Sequence, residues 1–263
     1  MARLIPATTR LEAWVVATDI LLNSGPELNL ILSIERPGSD GPHGKAATAA
    51  VDEFLAAEKQ KPLHTVAETI FPGWEYRRRG FDGMCETYAE SEYPVIKERW
   101  GTYAYRMLRR TNADGEVVNP LKHLIAKMKD EASFRGPKTA CYEVGVAEGE
   151  YDIPLYNTTE DDSRRRGGPC LSHVSFKYWN EAVHLTAVYR SHDYRYKTLG
   201  NLLGLARLQA CVAQEVGAAI GSLVVHSTYA SLQPPTVKGR GRKALSELVN
   251  RLRGYIEPEA VSA

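Results

Sequence analysis

Between residues 11 and 22 the apolar positions recur at helical spacing, and Leu11, Trp14, Val15, Ile20, Leu21 and Leu22 form the expected buried set. Over 29–35 (NLILSIE) the pattern changes to alternation, which predicts a half-buried strand. Residues 37–44 are rich in Gly, Pro, Ser and Asp and predict a loop. Helical spacing returns over 46–57 and again over 64–71, where Pro72 and Gly73 act as a stop. The stretch 93–110 carries Trp100, Tyr103 and Tyr105 among basic residues, and 121–128 predicts a short helix among lysines. Residues 139–146 predict a strand. Residues 173–179 alternate Val174, Phe176 and Tyr178 against polar neighbours, and 182–189 is apolar and β-rich. The strongest helical signal spans 198–216, with Leu199, Leu202, Leu203, Ala206, Leu208 and Val212 in phase, no proline, and Gly217 to end it. A short strand over 222–226 and a basic helix over 238–253 complete the pattern.

Strands and helices are mixed without regular alternation, which favours an α+β layer fold over a doubly wound one. No internal repeat or low-complexity block interrupts the chain. Its 263 residues are enough for one domain with a sizeable core, and 1–263 is read as a single catalytic domain. The formal net charge of +1 argues against a uniformly basic nucleic-acid coat, although Lys238, Arg240, Arg242, Lys243, Arg251 and Arg253 leave a local basic patch open. Its bland reading is a solvated helix face. No long uncharged apolar run suggests a membrane span, and the first residues carry no export signal, so a cytoplasmic location is expected. The acidic-then-basic run Glu160, Asp161, Asp162, Arg164, Arg165, Arg166 reads as a solvated loop.

The four cysteines, Cys85, Cys141, Cys170 and Cys211, are widely spaced and form no C-x-x-C, so neither a disulfide framework nor a metal site is expected. Phosphate-loop, dinucleotide and zincin motifs are absent. Cys170 follows Pro169 at a loop-to-strand junction, where a thiol is accessible and a neighbouring arginine favours its nucleophilic thiolate. A lone cysteine is more often a small buried hydrophobe. The company of Cys170 changes that balance: Tyr189-Arg190-Ser191-His192-Asp193 follows, with Arg190 twenty positions after the cysteine, and Asn201 comes eleven after Arg190, early in the long helix.

This frame resembles the thymidylate synthase family, whose members carry a Pro-Cys nucleophile, an Arg-Ser-x-Asp motif and an asparagine opening a long helix. The run YRSHDYRYKTLGNLLGLARLQACVAQEVGAAIGSLVVHSTY carries the likeness into the following strand. The resemblance is specific over 169–232, moderate over 64–106, and weak elsewhere. It implies a thymidylate synthase-like fold, a mixed β-sheet flanked by helices, in a homodimer with shared active sites. It makes Cys170 the nucleophile that adds to pyrimidine C6, and gives Arg190 and Ser191 the nucleotide phosphate. Asn201 takes the base edge and Asp193 the pterin of the folate. Glu68 in TVAETIFP resembles the family glutamate that orders active-site water, and Trp100 in ERWGTYAYR stands at the tyrosine position. Arg135 and Lys138 are the candidates for phosphate groups supplied by the partner subunit, with Arg164, Arg165 and Arg166 as rivals. Tyr229, with His226 nearby, falls where the family contacts the sugar, across an alignment gap.

Each residue also has a plain reading. Arg190 could be a surface ion pair, Asn201 a helix cap, Asp193 a turn residue and Glu68 an exposed helix acid. An amide reads uracil in one orientation and cytosine in the other, so Asn201 by itself does not choose the base.

Departures from the family pattern bear on the reaction. Leu171 replaces the histidine after the nucleophile, Tyr189 replaces the glutamine before the arginine, and YAESEYPVIKER shows no tryptophan pair. Without that bulky wall, water can attack the exocyclic methylene before hydride arrives. The resemblance therefore implies a CMP or dCMP 5-hydroxymethylase using 5,10-methylenetetrahydrofolate, with no metal, of the kind found in nucleoside-antibiotic pathways. A divergent thymidylate synthase making dTMP from dUMP is the first alternative, and a non-catalytic nucleic-acid-binding relative the second.

Overall fold

The structure, a computed structural model, describes residues 2–92, 94, 102–111, 114–133, 142–146, 170–233 and 238–256. The chain opens with β1 (Arg3–Ala7), α1 (Arg10–Ser24) and β2 (Glu27–Ile34), the two strands parallel with Arg3 opposite Leu30. Thr9 caps α1 by accepting from Glu12 N at 3.2 Å, and Glu12 in turn accepts from Thr8 N at 2.7 Å. This reciprocal capping explains why the helix starts where it does.

Then come α2 (Gly44–Ala57), α3 (Leu63–Ile70), α4 (Gly73–Thr87) and α5 (Tyr103–Leu108), followed by the small hairpin β3 (Arg110–Thr111) and β4 (Val117–Val118). α6 (Pro120–Ala132) and β5 (Glu143–Gly145) precede β6 (Leu171–Trp179), β7 (Ala182–Tyr189) and the two-residue β8 (His192–Asp193). The chain closes with α7 (Thr198–Val216), β9 (Ala219–Ser231) and α8 (Gly239–Arg253).

The main sheet runs β1-β2-β9-β7-β6-β5, with β8 added beside β9. It is mixed: β7 and β9 are parallel, joined by the α7 crossover, while β2–β9 and β6–β7 are antiparallel. The expected mixed-sheet α+β architecture is what the structure has. Strand alternation sends Leu30, Leu32, Ile34, Val183, Leu185, Ala187, Leu223 and Val225 into a core shared with α1 and α7. The opposite face holds Ile31, His184, Thr186, Val188, Val224 and His226, all partly or fully exposed.

Three elements differ from the sequence reading. Pro72 and Gly73 end α3 but also begin α4, with Pro72 as its N-cap residue. A proline lacks a useful N–H and is tolerated at a helix start, so one dipeptide serves both purposes. The final strand is thirteen residues long, not five, because the polar His226, Ser227 and Thr228 keep the strand alternation. β1 was not expected. It is five residues long and contains Pro6, and it lies at the sheet edge, where proline is admitted. Cys141 and the acidic-then-basic run lie outside the described residues.

The basic C-terminal helix is an outer amphipathic helix. Leu245, Leu248, Val249 and Leu252 are buried, while Arg251 pairs with Glu53 at 3.1 Å and Arg253 with Asp19 at 2.6 Å. Those pairs tie it to α2 and α1, as expected of a solvated helix face. No helix among the described residues is long and apolar enough to cross a membrane.

The closest helix contact joins α3 to α7. A Cβ on Gly200 would lie 2.6 Å from Val66 Cβ and 3.0 Å from the Leu63 carbonyl oxygen. One on Gly204 would lie 2.8 Å from both the Ala67 carbonyl oxygen and Ile70 Cβ. Spaced four apart, the glycines make one flat stripe that admits the α3 backbone. Gly204→Ala must push that backbone away, and is expected to cost about 1–3 kcal/mol. Denaturant unfolding checks this, and an unchanged midpoint would show that the helices do not meet there.

Candidate functional site

β7 ends at Tyr189, and the chain passes through Arg190 and Ser191 into β8. The Arg190 N–H donates to the Cys170 carbonyl at 2.9 Å, so strand pairing fixes the candidate nucleophile beside the candidate arginine. The Cys170 N–H donates to the Tyr103 hydroxyl oxygen at 3.2 Å, which brings the head of α5 to the same place. Asp193 then forms a turn: its Oδ1 accepts from Arg195 N at 2.9 Å and Tyr196 N at 3.4 Å, and its carbonyl accepts from the Thr198 hydroxyl at 2.8 Å. That turn launches α7 and aims its first turns at Cys170.

These elements enclose a cavity of about 340 Å³. α3 contributes Thr65, Val66 and Thr69, the start of α5 contributes Thr102 and Tyr103, and Cys170, Ser191, His192, Asp193 and Asn201 supply its chemistry. Lys61 and Lys197 also line it. The volume suits a small-molecule site with a few convergent polar groups.

Burial pushes the Cys170 thiol up, the Arg190 guanidinium pulls it back, and Asp193 raises it further. Burial likewise pushes the Asp193 carboxyl up to about 6, against the pull of the two backbone N–H groups. It depresses His192 to about 3, so the imidazole is neutral at ordinary pH. His192 lies flat on Tyr189, with ring centroids 3.9 Å apart and planes 1° from parallel. Its Nδ1 is 2.9 Å from Ser227 Oγ, its Nε2 is 3.1 Å from Asn201 Nδ2, and Ser227 Oγ is 3.0 Å from the Tyr194 hydroxyl.

The structure brings Cys170, Ser191, Asp193 and Asn201 together, with Arg190 adjoining. Asn201 is not a helix cap: Lys197 holds that position and Asn201 is buried in the first turns of α7. Asp193 is both turn former and cavity wall. Three candidates lie elsewhere. Glu68 is half-buried, accepts from Arg207 Nη1 at 2.9 Å and is not among the residues that line the cavity. His226 pairs with Asn29 Oδ1 at 3.0 Å on the uncovered sheet face. Tyr229 is partly buried in β9 opposite Leu28 and does not line the cavity. Strand alternation gives the inward place at this level to Ser227, between the outward His226 and Thr228. Trp100, Arg135, Lys138 and Arg164 to Arg166 lie outside the described residues.

Sequence reasoning missed His192, Ser227, Tyr194, Thr65, Thr69, Lys61 and Lys197. His192 stood inside the quoted motif. Its aromatic neighbour Tyr189 and the apolar strand before it were signals of burial. Among the described residues no group of three or more His, Cys, Asp or Glu side chains could hold a metal ion.

The chain is similar over most of its length to archaeal proteins that carry the name "Putative thymidylate synthase". The protein of Methanosarcina barkeri is 34% identical over 232 residues, 88% of this chain and 90% of that protein. That of Methanosarcina acetivorans is 30% identical over 230 residues, covering 88% and 89%. That of Methanococcoides burtonii is 25% identical over 244 residues, covering 88% and 90%. Among solved structures, the thermostable thymidylate synthase A of Bacillus subtilis matches with a TM-score of 0.47 at 15% identity, covering 85% of this chain and 79% of that one. No family model matches the chain.

The raised Asp193 carboxyl has a consequence for stability. Its folded value of about 6 exceeds its ordinary 3.8, so its contribution is fully present below about pH 4 and is lost as pH rises through 6. Asp193→Asn keeps the Oδ1 acceptor of the turn and removes the buried charge. It is expected to gain about 1–3 kcal/mol at pH 8 and nothing at pH 4. Thermal unfolding at the two pH values checks this, and equal effects at both would refute the buried charge.

Proposed function

The chain belongs to the thymidylate synthase family of one-carbon transferases, and from that premise we propose that it is a folate-dependent pyrimidine nucleotide C5 hydroxymethylase acting on CMP or dCMP. The observation that carries this is the meeting of Cys170, Ser191, Asp193 and Asn201 in one cavity, under the charge of Arg190. Pyrimidine C5 is a poor nucleophile. Addition of the Cys170 thiolate at C6 makes C5 an enolate-like carbon that can attack a one-carbon electrophile. Arg190 and Ser191 hold the phosphate, since a guanidinium fork and a hydroxyl suit its oxygens. Asn201 meets the base edge.

Asp193 suits a folate. Its Oδ1 is committed to two backbone N–H groups, while its Oδ2 accepts from no described residue and lies on a cavity wall. That oxygen would receive N–H donors of a pterin. Methylenetetrahydrofolate, when bound, supplies a one-carbon unit at the oxidation level of formaldehyde.

The missing tryptophan pair in YAESEYPVIKER supports water as the final nucleophile, since no bulky wall then keeps water from the methylene carbon. Leu171 is fully buried, and Tyr189 is fully buried with its hydroxyl unpartnered. The positions where the family pattern has histidine and glutamine thus present no polar side chain to the cavity. Loss of the C5 proton and release of tetrahydrofolate would leave an exocyclic methylene; water adds to that carbon and gives up a proton, and departure of the Cys170 sulfur from C6 restores the ring double bond of the 5-hydroxymethyl nucleotide. Methylation of dUMP is the second reading, and the names of the archaeal relatives favour it.

We further propose a homodimer with shared sites, in which Arg135 and Lys138 reach the partner's phosphate. The uncovered sheet face supports it: Ile31, Val188 and Val224 lie there, each partly exposed. Sedimentation is expected to show a dimer, and an active monomer would refute sharing.

The reaction is tested by incubating the protein with methylenetetrahydrofolate and each of CMP, dCMP, UMP and dUMP. Mass spectrometry is expected to find a 5-hydroxymethyl product from a cytosine nucleotide, without the absorbance of dihydrofolate. Dihydrofolate with dTMP would establish the second reading, and no product from any of the four would end both. Cys170→Ser is expected to lower turnover by about 10⁴-fold or more while nucleotide still binds.

A further inference from the structure

Asn201, His192, Ser227 and Tyr194 form a buried chain in which every proton can be counted. The imidazole is neutral and carries one N–H. Its two nitrogens face Ser227 Oγ and the Asn201 amide, and Ser227 Oγ also faces the Tyr194 hydroxyl. Ser227 and Tyr194 have no other side-chain partner among the described residues.

Two proton arrangements fit these contacts. In the first, His192 carries its proton on Nδ1 and donates to Ser227, while the Asn201 NH₂ donates to Nε2. Two hydroxyl protons, from Ser227 and Tyr194, then share one contact, and one of them has no acceptor. In the second, Tyr194 donates to Ser227, Ser227 donates to His192 Nδ1, and His192 Nε2–H donates to Asn201 Oδ1. Here no proton is stranded. A stranded buried hydroxyl is costly, so the second arrangement wins. The structure places Asn201 Nδ2 at the His192 contact, but the oxygen and nitrogen of a side-chain amide have the same outline, and the proton count turns the amide over, with Oδ1 at His192.

We propose that Tyr194, Ser227 and His192 are positioning residues that hold the Asn201 oxygen inward and its NH₂ toward the cavity, where it meets pyrimidine N3 and selects cytosine over uracil. An NH₂ donor pairs with the unprotonated N3 of cytosine and opposes the N3–H of uracil. This rests on the nucleotide reading given under Proposed function and names the residues that set its base preference. His192 itself lines the cavity behind Asn201, so no water separates the relay from the amide it orients.

The relay is tested in the full chain by two measurements. The first is the ¹⁵N signals of His192, which report the tautomer without any ligand. Protonated Nε2 with bare Nδ1 is expected, and protonated Nδ1 would overturn the proposal. The second is calorimetric titration with CMP and with UMP. The unaltered protein is expected to prefer CMP. In Ser227→Ala neither tautomer has a partner at Nδ1, so the preference is expected to shrink about tenfold. Tyr194→Phe should keep the preference, because Ser227 still donates to Nδ1. Should Ser227→Ala fail to fold, the double variant Ser227→Ala/Tyr194→Phe strands no hydroxyl and should show the same shrinkage. An unchanged ratio in these variants overturns the relay. If the unaltered protein binds neither nucleotide, the reading beneath the proposal fails, and the ligand-free histidine signals distinguish that failure from a failure of the relay.

Discussion

The near contact of α3 with α7 is the constraint on which the site depends. Gly200 and Gly204 put no side chain of their own between the helices, so Val66, Ile70 and the Leu63 and Ala67 carbonyl oxygens of α3 come within a Cβ's reach of α7. That proximity does two things at once. It lays Thr65, Val66 and Thr69 across the first turns of α7 as a cavity wall, and it buries Asn201 at the level of His192. A larger residue at either glycine would move the wall and the base-reading amide apart together. The stripe is therefore a positioning device as well as a packing device, although neither glycine touches the cavity.

Burial then sets the chemistry that the sequence could only name. Cys170, Asp193 and His192 all lose solvent in this wall, and each shifts toward its neutral form. For His192 neutrality is useful, because a charged imidazole would donate from both nitrogens and could not tell one amide orientation from the other. For Cys170 it is a cost, since the thiolate is the nucleophile, and Arg190 is the group that offsets it. Phosphate drawn to Arg190 would screen that charge and raise the thiol again. Supplementary cations from a partner subunit would thus serve the nucleophile as well as the phosphate.

Much of this was legible in the sequence because its signals were local. The 198–216 helix has an unbroken apolar stripe and a glycine in the left-handed region at Gly217, and it begins and ends where the pattern predicts. The frame of Cys170, Arg190, Asp193 and Asn201 was legible because strand pairing and a tight turn convert fixed spacing into proximity. What was not legible depended on faces and partners. Glu68 sits two apolar positions from Val66 in sequence, yet a helical turn rotates it toward Arg207. His226 and Tyr229 needed the register of β9, which a strand end as polar as His226, Ser227 and Thr228 does not announce. α4 was hidden because Pro72 and Gly73 read as an ending when they are also a beginning.

His192 marks the limit of motif reading. Its place in the Arg-Ser-x-Asp pattern is the variable one, so attention falls on the residues either side of it. Its importance comes instead from what a buried polar group requires. A core histidine must satisfy two nitrogens, and doing so recruits Ser227 from β9 and Tyr194 from the turn after β8. A leucine there would pack as well without needing either partner. Keeping four polar side chains in contact inside an apolar core is worthwhile only if their geometry carries information, because each one left unpaired costs more than it returns. The information available to such a chain is direction, the choice of which end donates. Asn201 is the member of the chain that delivers that direction to the cavity.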